Sequence, residues 1–169
     1  MIKRFGGKTP RIAESAFVSQ AAYVIGNVKI GENSGIWPGA VVRGDFASIK
    51  IGSNSDIEDN SVLHTSYPME IGDNVIIGHG VVMHGKKIGN NTIIGINATI
   101  LDEAEIGDYC IVAAGCVVTE KMKIPSRSFV AGVPAKVKRE VTEQQMARLD
   151  VHNRYYTKEY RKSCKEQGL

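Results

Sequence analysis

A six-residue beat constrains this chain more than any other feature. Aliphatic side chains recur at Val24, Ile30, Ile36 and Val42, resume at Ile51, Ile57 and Leu63, and again at Ile71, Ile77 and Met83. They then run in step from Ile88 through Ile94, Ile100, Ile106, Val112, Val118 and Ile124 to Val130. Glycine often follows the aliphatic, as in Ile51-Gly52 and Ile77-Gly78. Four positions after it the residue is mostly small: Ser34, Ala40, Ser55, Ser61, Thr92, Ala98, Ala104, Cys110, Cys116. An α-helix repeats its face every ~3.6 residues, so this period excludes one. It fits short strands of a β-helix, in which one aliphatic enters the core, a turn follows and a small side chain fills the remaining space. Three such units, with no insertion, close one coil of a triangular prism. Cys110 and Cys116 fall on the small positions and read as core filler.

The beat ends near Val130, and Gly132-Val133-Pro134-Ala135 breaks it. This predicts a β-helix domain over 1–135 and a segment over 136–169 that forms a C-terminal helix, packed on the prism or on a neighbouring subunit. Thr142 and Gln145 have the spacing of a capping box. Met146, Leu149, Tyr156 and Tyr160 supply an apolar stripe, and His152 on that helix reads as a packing or solvent-facing residue. The formal charge of +3 collects in this tail, where nine Lys/Arg face five Asp/Glu. The tail's charges alternate with Glu and Gln, the pattern of a solvated helix face rather than a nucleic-acid surface. No apolar run approaches a membrane span. The opening MIKRFGGKTPR lacks the apolar stretch of a secretory signal, and the three cysteines form no CxxC pair. The expectation is a cytoplasmic protein that binds neither nucleic acid nor membrane.

Against this aliphatic background, the histidines at 64, 79 and 84 are out of place. Register turns their spacing into geometry. Val42, Leu63, Met83 and Ile100 begin equivalent units in successive coils, so the next residues, Arg43, His64, His84 and Leu101, stack in one column. Adjacent coils lie ~4.8 Å apart, and two imidazoles at that separation can share a metal with bonds of ~2.0–2.1 Å. His79 follows Ile77 by two residues and falls in the column of Asp59 and Ile96, about one face away. The simplest closure of the site brings His79 from a second subunit. Three subunits about a threefold axis then carry three equal sites, each with three histidines and an open fourth position, as catalytic metal centres have.

The stretch Arg43-Gly44-Asp45, the run Ile57-Glu58-Asp59-Asn60-Ser61-Val62-Leu63-His64, and the pair Gly78-His79 and His84-Gly85 resemble the γ-class carbonic anhydrases. The resemblance extends over nearly the whole chain, from Ile36-Trp37-Pro38-Gly39 to the exit at Gly132–Ala135. It implies an all-β solenoid: a left-handed parallel β-helix of hexapeptide repeats with a C-terminal α-helix. It also implies a homotrimer with interfacial metal sites that hydrates CO2 to bicarbonate. His64 and His84 would come from one subunit and His79 from the next, holding Zn2+, with Fe2+ or Co2+ as alternatives. By the same resemblance Arg43 and Asp45 form an ion pair near the site, and Asp59 joins the interface network. Glu58 stands where many relatives have Gln, a residue that hydrogen-bonds the metal's solvent. Phe46 stands where the best-studied form has an acid, and the short link His64-Thr65-Ser66-Tyr67-Pro68 lacks that form's acidic loop, so the chain resembles the short-loop branch. Tyr67, Tyr155 and Tyr156 are candidates to line the pocket.

Two other readings share the repeat. One is a hexapeptide-repeat acyltransferase that binds an acyl-CoA between prisms; the absence of a large acceptor loop and the histidine spacing argue against it. The other is a non-catalytic trimeric scaffold in which the metal is a staple.

Overall fold

The computed structural model describes residues 1–147 and 160–168. The beat becomes a left-handed parallel β-helix whose cross-section is a triangle. One face is an eight-stranded sheet; a twelve-stranded sheet supplies the other two, bent around the corner that the long strands Tyr23–Ile30 and Val41–Ile51 pass through. On the first face Ile36, Ile57, Ile77, Ile94 and Val112 are in register. On the second, Val24, Val42, Leu63, Met83, Ile100 and Val118 align. The third aligns Ile30, Ile51, Ile71, Ile88, Ile106 and Ile124. Every aliphatic of the beat from Val24 to Val130 is at most 3% exposed. These three columns meet along the prism axis as one continuous core.

The small positions fill the corners, and their hydroxyls do a second job. Ser55 donates to the Gly72 carbonyl at 2.8 Å and accepts from the Val75 N–H at 3.0 Å. Ser34, Ser61 and Thr92 repeat the pattern between their own coils. A turn inside a solenoid leaves backbone groups without a strand partner, and a buried orphan costs about 1–3 kcal/mol; these hydroxyls satisfy them. Cys110 continues the Ser34–Ser55–Thr92 column, its Sγ 3.2 Å from the Pro125 carbonyl. Burial pushes its thiol above the ordinary range, and the same holds for Cys116. Both are core filler.

Sharp turns need left-handed backbone. Gly39, Asn60, Gly80, Asn97 and Gly115 stack at one corner, all with φ between 56° and 72°. Asparagine tolerates this conformation better than other side chains except glycine. A Cβ on Gly80 would meet Asn97 Oδ1 at 2.3 Å, so this column alternates the two residue types also for want of room.

The exit differs from the expected run into helix. After a turn at Gly132, with φ of 109°, Lys136–Glu140 folds back antiparallel on Ser128–Ala131. Its sequence, KVKRE, is highly charged, which blunts an edge that would otherwise offer unpaired strand groups to other chains. The capping box then forms: Gln145 Oε1 accepts from the Thr142 N–H at 3.1 Å and Thr142 Oγ1 from the Gln145 N–H at 3.3 Å. One helical turn follows at 143–147. Leu149, His152, Tyr155 and Tyr156 lie outside the described residues.

The helix Arg161–Glu166 rests on the first face of its own prism. Arg161 is buried and grips both carboxylate oxygens of Asp56, with Nε at 3.0 Å from Oδ1 and Nη2 on Oδ2. Trp37 Nε1 donates to the same Oδ1 at 2.8 Å, and the Trp37 ring stacks on Tyr160. Gly35 makes room: a Cβ there would lie 2.4 Å from Asp56 Oδ1. No helix among the described residues is long and apolar enough to cross a membrane.

Candidate metal centre

The corner after the second face carries the stacked residues. Arg43 pairs with His64 across the ladder, and His84 follows Met83, which aligns with Leu63. Their rings meet edge to face with centroids 5.1 Å apart. His64 Nδ1 and His84 Nε2 face each other at 3.4 Å. Each ring is held from behind by a carboxylate: His64 Nε2 is 3.2 Å from Asp45 Oδ1, and His84 Nδ1 is 3.1 Å from Asp102 Oδ1. Arg43 Nη1 donates to the other oxygen of Asp45 at 2.5 Å. Four consecutive coils thus contribute one residue each to the line Asp45–His64–His84–Asp102.

Electrostatics keep this line ready for a cation. Burial raises the Asp45 carboxyl, but Arg43 and backbone N–H groups outweigh it and hold Asp45 below its usual value. Burial lowers His64, assisted by the Arg43 charge and opposed by Asp45, so the imidazole favours its neutral, ligating form. Ring tautomers follow from the hydrogen bonds: a nitrogen that faces a carboxylate carries the proton. The two nitrogens that face each other then both present lone pairs, which repel unless a cation or a shared proton lies between them. Two vertices of a tetrahedron with Zn–N bonds of ~2.0–2.1 Å stand about 3.4 Å apart. The donors present therefore fit the ion that the sequence implies.

His79 occupies the other edge of the second face, at the corner after Ile76–Ile77. Its backbone carbonyl accepts from Asn97 and its neighbour Gly80 donates to the Asp59 carbonyl, which fixes the register with Asp59. Asp59 Oδ2 lies 3.0 Å from Nδ1, and Glu58 Oε2 lies 3.3 Å from Nε2 and 3.1 Å from the His79 backbone N. The His79 side chain is 53% exposed. A cavity of about 290 Å³ opens beside it, lined by Phe17, Trp37, Glu58, Asp59, Tyr160 and Cys164 among others. Among the described residues, no three His, Cys, Asp or Glu side chains of one chain come together to hold a metal. Phe46 is 78% exposed and sets its ring against His64, centroids 5.8 Å apart. Tyr67 is exposed on the loop after His64.

Between the two histidine corners runs the outward column of the second face: Tyr23, Val41, Val62, Val82, Thr99 and Val117, in register. Val62 and Val82 are 36% and 43% exposed. Beside His79, Ile96 is exposed too. An apolar strip of this length facing solvent marks an interaction surface.

Comparison with known proteins decides the family. A carbonic anhydrase of Geobacillus kaustophilus is 41% identical over 171 residues, covering 99% of this chain and 94% of its own. The chain belongs to the γ-class carbonic anhydrase family. The Arabidopsis thaliana mitochondrial γ carbonic anhydrase 1 is 40% identical over 148 residues, 83% of this chain; the chain spans about half that relative's length, 54%. Residues 85–120 match the family described as bacterial transferase hexapeptide (six repeats). A hexapeptide transferase family protein from Anaplasma phagocytophilum is similar in structure, with a TM-score of 0.88 and 34% identity, over 92% of this chain and 93% of that one.

Two features were invisible from the repeat. Asp102 lies one residue beyond the stacked column, so register alone does not point to it; an acid directly after Leu101 was the available signal. The Asp56–Arg161 pair joins residues 105 apart in sequence, with no period linking them.

Proposed function

We propose that this member of the γ-class carbonic anhydrase family catalyses the reversible hydration of CO2 to bicarbonate at metal centres shared between subunits of a homotrimer. The observation that carries the reading is the 3.4 Å approach of His64 Nδ1 and His84 Nε2. It sets two imidazole nitrogens side by side, and His79 of a second copy supplies the third. The apolar second face supports the assembly, because it lies between the His79 corner and the His64–His84 corner. Burying it against a neighbour brings one corner of each copy toward the opposite corner of the next. Zn2+ fits three imidazoles best, and Fe2+ or Co2+ accept the same donors.

When bound, such an ion supplies the Lewis acidity that makes water nucleophilic near neutral pH. The chain's own groups do the rest. Asp45, held by Arg43, keeps the proton of His64 on Nε2 and its lone pair toward the site. Asp59 Oδ2, 3.0 Å from His79 Nδ1, offers that nitrogen the same kind of acceptor. Glu58 Oε2 lies 3.3 Å from His79 Nε2; with an ion held on that nitrogen, its carboxylate would serve as a proton acceptor beside it. Phe46 shields one side of His64 from solvent, where an acidic residue would add charge. The three cysteines are free and buried, which suits a reducing cytoplasm.

His79→Ala tests the reading by metal content and stopped-flow CO2 hydration. The expected result is loss of both, with the chain still folded. Full metal occupancy and activity in that variant would contradict the shared centre. The transferase names among the structural relatives motivate one control: saturable, metal-independent binding of acetyl-CoA would favour acyl transfer instead.

A further inference from the structure

We infer that Asp102 is a positioning residue for the metal centre: it fixes the tautomer of His84, so that the Nε2 lone pair points at His64. This rests on the metal centre proposed above and assigns a part of it that neither the repeat nor the relatives indicate. His84 has two ring nitrogens, and without a partner a neutral histidine favours the proton on Nε2, which would turn an N–H rather than a lone pair toward His64. In the structure Nδ1 lies 3.1 Å from Asp102 Oδ1 and Nε2 lies 3.4 Å from His64 Nδ1. The carboxylate only accepts, so the proton belongs on Nδ1 and the free pair on Nε2. Asp45 arranges His64 in the same way from the opposite end of the line.

The backbone delivers Asp102 deliberately. Leu101 ends the coil above His84, its N–H bonded to the Val118 carbonyl, and Glu103 takes φ of 58°. This turn swings residue 102 back over the preceding coil, while its carbonyl accepts the Lys121 N–H at 2.9 Å. The neighbouring acid, Glu103, instead turns to Lys121 at 3.7 Å. Asp102 is 43% exposed at the side chain and His84 32%. An exposed pair of this kind contributes little to folding. Its effect should therefore appear in metal affinity, where an outer partner of a ligating histidine is typically worth 10–100-fold.

The experiment compares Asp102→Ala and Asp102→Asn with the unaltered chain. Two quantities are read: Zn2+ and Co2+ affinity by chelator competition, and the ring 15N shifts of His84 in metal-free protein. Asp102→Ala should bind metal roughly tenfold more weakly, with the melting temperature of the metal-free protein unmoved. Its His84 signals should shift toward the Nε2–H tautomer. Asp102→Asn, whose amide oxygen still accepts the Nδ1 proton, should recover most of the affinity. Wild-type affinity and unshifted His84 signals in Asp102→Ala would overturn the inference. His64→Ala and His84→Ala separate the two readings. If they too bind metal normally, the centre itself is wrong; if they lose metal while Asp102→Ala keeps it, only the role of Asp102 fails.

Discussion

The two halves of the twelve-stranded sheet present similar aliphatic interiors and opposite exteriors. Inward, the second and third faces each repeat one buried aliphatic per coil. Outward, the second face shows Tyr23, Val41, Val62, Val82, Thr99 and Val117, whereas the third shows Arg11, Lys29, Lys50, Glu70, Lys87, Glu105 and Lys123 in the same register. The inner residue is set by the prism; the outer one is free to specify what that face meets. A charged column is suited to water and an apolar one to another copy of the chain. The three histidines proposed as ligands lie along the borders of the apolar face, so the proposed assembly and the proposed chemistry share one surface.

The comparison breaks first where charge is placed on the wrong face. If the proposed trimer forms through the second face, Val62→Glu combined with Val82→Glu should convert it to monomers in sedimentation and abolish metal binding. Lys50→Glu on the third face should leave both unchanged. An intact trimer in the valine double variant would remove the second face as the interface. Next come the interiors, where the two faces should behave alike: Leu63→Ala and Ile51→Ala should each cost about 2–5 kcal/mol in denaturant unfolding. A much smaller loss at one of them would mean that the coils are not equivalent. Ser55→Ala, at a corner between coils, should cost roughly 1–3 kcal/mol by leaving the Val75 N–H without its partner. The smallest effect is expected at Lys29, which stands between Arg11 and Lys50 with no ion pair to either side. Lys29→Glu should stabilise by about 0.2–1 kcal/mol, most at low salt, and a loss of stability would show that the cation serves a contact of its own.

Much of this was legible in the residues because a solenoid makes sequence spacing and spatial position the same thing. Once Leu63 and Met83 are recognised as equivalent, His64 and His84 must stack, and the displacement of His79 by about one face follows. What escaped was whatever leaves the period. Asp102 reaches its histidine through a turn one residue past the column. Arg161 finds Asp56 across the chain's length, and Lys136–Glu140 reverses direction after a glycine turn to close the sheet edge. Such contacts depend on side-chain reach and tertiary packing, which a repeat does not encode.

In the proposed trimer one copy supplies His64 and His84 and another supplies His79. Co-expression of a His79→Ala chain with a His64→Ala/His84→Ala chain tests it most directly, because neither alone can assemble a centre. Mixed trimers should regain metal and CO2 hydration at those interfaces where an intact pair meets an intact His79. Mixed trimers that form but remain metal-free and inactive would contradict it.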